Sequence, residues 1–159
     1  MTKVCIFGAG AIGGYIAACL SKTNVELSLI ARGPHKEAIE KKGLTFIKDG
    51  KTENLKLTVT DDPKNLEIQD YIFISVKAHS ISNIVDSLSS IIDEQTSIIS
   101  TVNGLPWWYF HKANTGTNLD DTYLESVDPA GKIWKTIKPQ QAIGCVVYPA
   151  CEIIEPGVI

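Results

Sequence analysis

Residues Gly8-Ala9-Gly10-Ala11-Ile12-Gly13 have the types and spacing to bind a pyrophosphate. In a G-x-G-x-x-G turn the first glycine allows a sharp bend. The second removes a Cβ, so that backbone N–H groups can approach phosphate oxygens. The third lets the following helix pack closely on the sheet. The helix also points its positive N-terminal end at the anion. Glycines serve ordinary turns too, so the context decides. Here an apolar segment, Lys3-Val4-Cys5-Ile6-Phe7, runs directly into Gly8, and a helix-forming stretch continues through Tyr15 to Leu20. Strand, glycine turn and helix follow in the order that a dinucleotide site requires.

The next strand should say which dinucleotide. Val25 to Ile30 reads as that strand, by its leucine and isoleucine content and its position. An NAD or FAD site places Asp or Glu at its end, to accept from the ribose 2′-OH. This chain has Ala31-Arg32 there, and Glu26 lies at the opposite end. A guanidinium binds a 2′-phosphate through paired hydrogen bonds, whereas a carboxylate repels it. The reading is therefore NADP(H), with Arg32 on the 2′-phosphate; a solvated surface charge is the alternative.

These residues need a scaffold, and the remaining chain supplies an alternating one. Pro34 to Lys42 predicts a helix, with proline in its first turn and Gly43 just past its end. Leu44–Ile47 and Leu55–Val59 predict two strands of a small antiparallel excursion around Asp49-Gly50. Asp61-Asp62-Pro63 reads as a turn. Tyr71–Val76 is a nearly continuous apolar run, as in a buried parallel strand. Ser80–Ile92 carries Ile81, Ile84, Val85 and Leu88 at helical spacing. Ser97–Val102 and Ala142–Tyr148 predict further strands, and residues 105–139 are irregular. Together these elements predict an α/β fold with a Rossmann-type, doubly wound, mainly parallel sheet, over a single domain spanning 1–159.

Ligands in such sheets bind beyond the carboxyl ends of the strands. Arg32, Lys77 and Asn103 stand there. Lys77 can offer positive charge to a carboxylate or to cofactor oxygens, and Asn103 can donate to a carbonyl and accept from a ribose hydroxyl. The competing readings are a solvated charge at Lys77 and a plain turn at Asn103-Gly104. His79 reads as exposed, and no nucleophile stands in a strand-turn-helix elbow. Trp107, Trp108, Tyr109 and Phe110 read as core or interface. Asp120, Asp121, Glu125 and Asp128 read as a solvated helix face, and no metal is predicted.

Composition narrows the classes. Of the 159 residues 44% are hydrophobic, enough for one sizeable core. The net charge of −3 argues against a nucleic-acid surface, and no apolar run is long enough to span a bilayer. The four cysteines form no ligand or redox pair; Cys5 and Cys19 read as small buried thiols. With no secretion signal at the first residues, a reducing, cytoplasmic setting is expected.

Several separate motifs, in order, resemble one family. They are GAGAIGG, Ala31-Arg32, Ser75-Val76-Lys77-Ala78-His79, Asn103-Gly104, Gly144-Cys145-Val146-Val147-Tyr148 and Glu155-Pro156-Gly157-Val158-Ile159. Together they are similar to the N-terminal NADP-binding domain of the 2-dehydropantoate 2-reductase (ketopantoate reductase) family. The resemblance implies NADPH-dependent reduction of 2-dehydropantoate to pantoate, on the route to pantothenate and coenzyme A. It implies that Gly8 to Gly13 and Arg32 hold the cofactor. Lys77 and Asn103 would sit beside it, with Asn103 and, on a looser alignment, Ala150 on the small keto-acid substrate. It implies too that a C-terminal helical domain, absent here, supplies the proton-donating lysine and any homodimer contact. Residues 1–159 alone are then expected to bind cofactor without turnover. The segment 106–139 resembles a subgroup with an NG-x-PWWYF pattern whose substrate is less defined. Another branched 2-keto or 3-hydroxy acid, or a non-catalytic NADP(H)-binding module, are the alternatives.

Overall fold

Side chains alternate across β1 (Thr2–Phe7), and that alternation divides the interior in two. Cys5 and Phe7 point into one core, Ile6 into the other. A strand buried on both faces needs helices on both faces. The computed structural model, which describes residues 1–159, supplies them. After β1 come α1 (Ala11–Leu20), β2 (Val25–Ile30), α2 (Gly33–Lys42), β3 (Leu44–Lys48), β4 (Lys51–Leu55), β5 (Thr58–Thr60) and β6 (Tyr71–Ile74). Then follow α3 (Ile81–Leu88), β7 (Ser97–Ser100), α4 (Lys132–Thr136) and β8 (Ala142–Gly144). Six strands form one sheet in the order β5-β2-β1-β6-β7-β8, every neighbouring pair parallel. This is the doubly wound α/β sheet that the sequence predicts. The strand order reverses between β1 and β6, so the glycine turn after β1 opens at the switch point.

On one face, α3 buries Ile81, Ile84, Val85 and Leu88 together with Ile72, Ile74 and Ile98 of the sheet and Ile133 of α4. Each such side chain contributes about 2 kcal/mol by leaving water. On the other face α1 presents Gly13, Gly14, Ala17 and Ala18, a flat stripe that lets the helix lie close to the strands. Leu44 and Phe46 of β3 and the chain's last residue, Ile159, complete that core.

The structure corrects several expectations. Leu55–Val59 is not one strand. Leu55 ends β4, which pairs with β3, and Thr58–Thr60 forms β5, which joins the main sheet beside Ser28–Ile30. The alternation L-K-L-T-V runs unbroken across the corner, so only the partner strands reveal it. The predicted helix Ser80–Ile92 shortens to α3. Ser89 Oγ and Ser90 Oγ donate to the carbonyls of Asp86 and Ser87, and this competition ends the helix. Strands β6 and β7 stop two residues early, and β8 ends at Gly144; Val146 and Tyr148 beyond it are 73% and 89% exposed. Cys19 is exposed on the outer face of α1, whereas Cys5 is buried, and burial pushes its thiol up to about 12.

Asp128 is no part of a solvated face. It is 0% exposed, and its carboxylate accepts from the backbone N–H of Ile133 at 2.7 Å and of Trp134 at 2.8 Å, capping α4. Asp128→Ala would strand both donors in the interior, so thermal unfolding should show a loss of about 2–3 kcal/mol. An unchanged melting temperature would contradict this role.

Candidate active site

The local sequence of the glycine turn builds its geometry. Gly8 has φ +104°, and a Cβ there would lie 2.8 Å from Val76 Cγ1. The N–H groups of Gly8 and Ala9 both donate to the Ile30 carbonyl, at 3.1 and 3.0 Å, which folds the turn against the end of β2. A Cβ at Gly13 would collide with the Gly8 carbonyl oxygen, so α1 can start directly on the turn only with glycine there. At Gly10 a Cβ would meet nothing within 4 Å. The N–H groups of Gly10, Ala11, Ile12 and Gly13 find no acceptor in the protein. Four free donors, an open approach at Gly10 and the positive end of a ten-residue helix form an anion cradle.

Arg32 lies at the end of β2, in extended conformation, as the N-terminal flanking residue of α2. It is exposed and makes no ion pair, so its guanidinium is available. It shares a cavity of about 580 Å³ with Gly8, Ala9 and Gly10. The structure thus brings the cradle and Arg32 together. The same cavity has walls that sequence reasoning missed. Asp61, Asp62 and Pro63 line it from the end of β5, and Asn83, Ile84 and Ser87 from α3. The strand-end rule would have found Asp61 had β5 been recognised as a sheet strand. Asp62 is engaged locally, its Oδ1 accepting from the Lys64 N–H at 3.0 Å. Lys36 stands near Asp61, and the nearby carboxylates, Glu40 first, hold its ammonium above the usual lysine range.

Asn103 and Lys77 are set by a tie between strand ends. Thr101 Oγ1 donates to the Ile74 carbonyl at 2.8 Å and lies 3.0 Å from Ser75 Oγ. That contact fixes where the chain leaves β6 toward Lys77 and β7 toward Asn103. Gly104 takes φ +114°, completing the turn. Asn103 is exposed and lines a second cavity of about 280 Å³ with Ala78, His79 and Trp107. Lys77 is exposed just before a 3₁₀ turn at Ala78–Ser80 and lines neither cavity. His79 is exposed and also borders the Asn103 cavity. Trp107 is 2% exposed, a core residue, while Tyr109 is half exposed. Ala150 lines a third cavity of about 540 Å³ with Tyr15, Phe46 and Cys151, and Asn103 is not part of its lining.

The arrangement can cradle a dinucleotide's phosphates, engage a 2′-phosphate and present an amide at the strand ends. No helix is long and apolar enough to cross a membrane. Residues 4–107 match the family model described as ketopantoate reductase PanE/ApbA. A 2-dehydropantoate 2-reductase from Mesorhizobium japonicum is 45% identical over 99% of this chain and 48% of its own length. A solved structure from Ralstonia solanacearum, provisionally described as a ketopantoate reductase, superposes with a TM-score of 0.89 at 34% identity, over 99% of this chain and 48% of its own. The 2-dehydropantoate 2-reductase of Porphyromonas gingivalis superposes with a TM-score of 0.76 at 26% identity, over 99% of this chain and 50% of its own. The chain spans about half the length of these relatives. With the family model covering most of the chain and the fold agreeing throughout, this protein belongs to the ketopantoate reductase family.

Proposed function

We propose that the protein of which residues 1–159 form the cofactor-binding domain reduces 2-dehydropantoate to pantoate with NADPH. The observation that carries the reading is one cavity holding both the glycine cradle and an unpaired Arg32. The residues fit the cofactor. Four free N–H groups would hold the pyrophosphate, and the guanidinium would hold a 2′-phosphate where NAD enzymes need a carboxylate. When bound, NADPH supplies the hydride that adds to the ketone carbon. Asn103 orients the keto acid and donates to the carbonyl oxygen as negative charge grows there. Lys77 adds positive charge at the same edge of the sheet. Ala150 borders the substrate from the other side once the second half of the protein closes on this one. That second half delivers the proton to the carbonyl oxygen and supplies any homodimer contact. The same reading places the enzyme in the cytoplasm, on the route to pantothenate and coenzyme A.

Steady-state kinetics of the full-length protein test this reading. NADPH oxidation should depend on 2-dehydropantoate, and residues 1–159 alone should bind NADPH without turning over. Reduction by the isolated domain would overturn the division of labour. A strong preference for another branched keto acid would replace the substrate. Asn103→Ala in the full-length protein should lower kcat/KM about tenfold to hundredfold, the value of one hydrogen bond to developing charge. Unchanged kinetic constants would return Asn103 to a plain turn.

A further inference from the structure

His35 sits in the first turn of α2, three residues after Arg32, and borders the cofactor cavity. Its imidazole binds a segment 122 residues away. The Gly157 N–H donates to Nδ1 at 3.0 Å. A backbone N–H can only donate, so Nδ1 must carry a lone pair and the ring proton lies on Nε2. Nε2 is buried and has no partner in the protein, so the bond to Gly157 is the one polar contact that the ring makes.

Gly157 is built for this contact. It has φ +83°, and a Cβ there would lie 2.9 Å from Ala38 Cβ, so only glycine brings the backbone this close to α2. The surrounding segment is a tight turn. Ile154 N–H donates to the Val158 carbonyl at 3.0 Å, and Val158 N–H to the Glu155 carbonyl at 2.9 Å. Its tail is anchored on β3, with Ile159 N–H donating to Thr45 at 2.9 Å and Ile47 N–H to Ile159 at 2.7 Å. The free arm of the turn carries Ile153 onto the wall of the cavity that holds Gly10 and Arg32. Ile153 keeps 45% of its surface exposed, an apolar side chain that a flat purine or a ribose can cover.

We infer that His35 is a positioning residue for the dinucleotide: by accepting the Gly157 N–H it latches the 153–157 turn to α2 and sets Ile153 as a wall of the cofactor cavity. The inference rests on the cofactor reading above. It adds that the nucleotide's adenosine half is enclosed by a segment far from the Rossmann fingerprint in sequence. Asparagine tests the latch, because its Oδ1 occupies the place of Nδ1 and accepts the same N–H, whereas leucine fills the space and accepts nothing.

The experiment is calorimetric titration of the full-length protein with NADPH, below the unfolding transition of every variant. His35→Leu and Ile153→Ala should each weaken NADPH about tenfold, through lost preorganisation of the wall. His35→Asn should stay within about twofold of wild type, since its acceptor is kept. The double variant His35→Leu/Ile153→Ala should be no weaker than either single variant, because both changes remove the same wall. Multiplying effects in the double variant, or an unchanged affinity in His35→Leu, would overturn the inference. Should His35→Leu not fold, Ile153→Ala decides by itself: its side chain is exposed, and unchanged NADPH affinity there overturns the wall. Wild-type protein that binds no NADPH is a different result, since it overturns the cofactor reading and this inference with it.

Discussion

Gly13→Ala should lower the melting temperature by about 6–12 °C and abolish measurable NADPH binding. The new methyl has nowhere to go. It would collide with the Gly8 carbonyl oxygen, and that oxygen belongs to backbone held by two bonds to Ile30. Relief requires α1 to lift from the sheet, taking its small-residue stripe of Gly14, Ala17 and Ala18 off the strands. Overpacking of this kind costs about 3 kcal/mol, and each kcal/mol is about 2–4 °C for a chain of this size. Gly10→Ala is the informative contrast. Its Cβ meets nothing in the protein, and its φ of −70° suits any residue. Stability should therefore hold, while the methyl obstructs the pyrophosphate and weakens NADPH about tenfold. If both variants fold and bind like wild type, the turn does not hold a pyrophosphate.

Arg32→Asp should reverse the cofactor preference. NADPH affinity should fall about a hundredfold or more, because the guanidinium's charge-assisted bonds to the 2′-phosphate are lost, each at about 1.5–3 kcal/mol. The new carboxylate also joins Asp61 and Asp62 around the same cavity and repels the phosphate. NADH carries a hydroxyl at that place, which aspartate can accept from, so its affinity should hold or improve. The folded state should not suffer. Position 32 flanks the N-terminus of α2, where aspartate is a better residue than arginine. Equal losses for the two nucleotides, at unchanged melting temperature, would remove Arg32 from the 2′-phosphate.

What could be read from the chain follows how local each feature is. The glycine turn is legible because strand, turn and helix are contiguous from Lys3 to Leu20, and Gly13 answers to Gly8, five residues before it. The parallel sheet followed from the alternation of apolar strands and helices. The carboxyl-end rule then placed Arg32, Lys77 and Asn103 on one edge. The split of Leu55–Val59 was hidden, because β5 is defined by β2 rather than by its own pattern. Without β5 in the sheet, nothing in the sequence marks Asp61 and Asp62 as cavity walls. The role of Asp128 was hidden as well. Its charge reads as solvated until the chain wraps it around the start of α4. The pairing of His35 with Gly157 depends on a tertiary contact that no local period encodes. Between Leu105 and Pro139 the pattern is irregular, and there the fold rests on Trp107, Ile133 and Ile137 packing onto α3 and the sheet.

On the proposed reading, the phosphate cradle and Arg32 of residues 1–159 act on one NADPH molecule. Calorimetric titration of the purified chain with NADPH and with NADH, after cooperative unfolding has shown it folded, tests that claim directly. One site per chain and at least about tenfold tighter binding of NADPH than of NADH is the predicted result. A folded chain that binds neither nucleotide, or that binds NADH as tightly as NADPH, would contradict it.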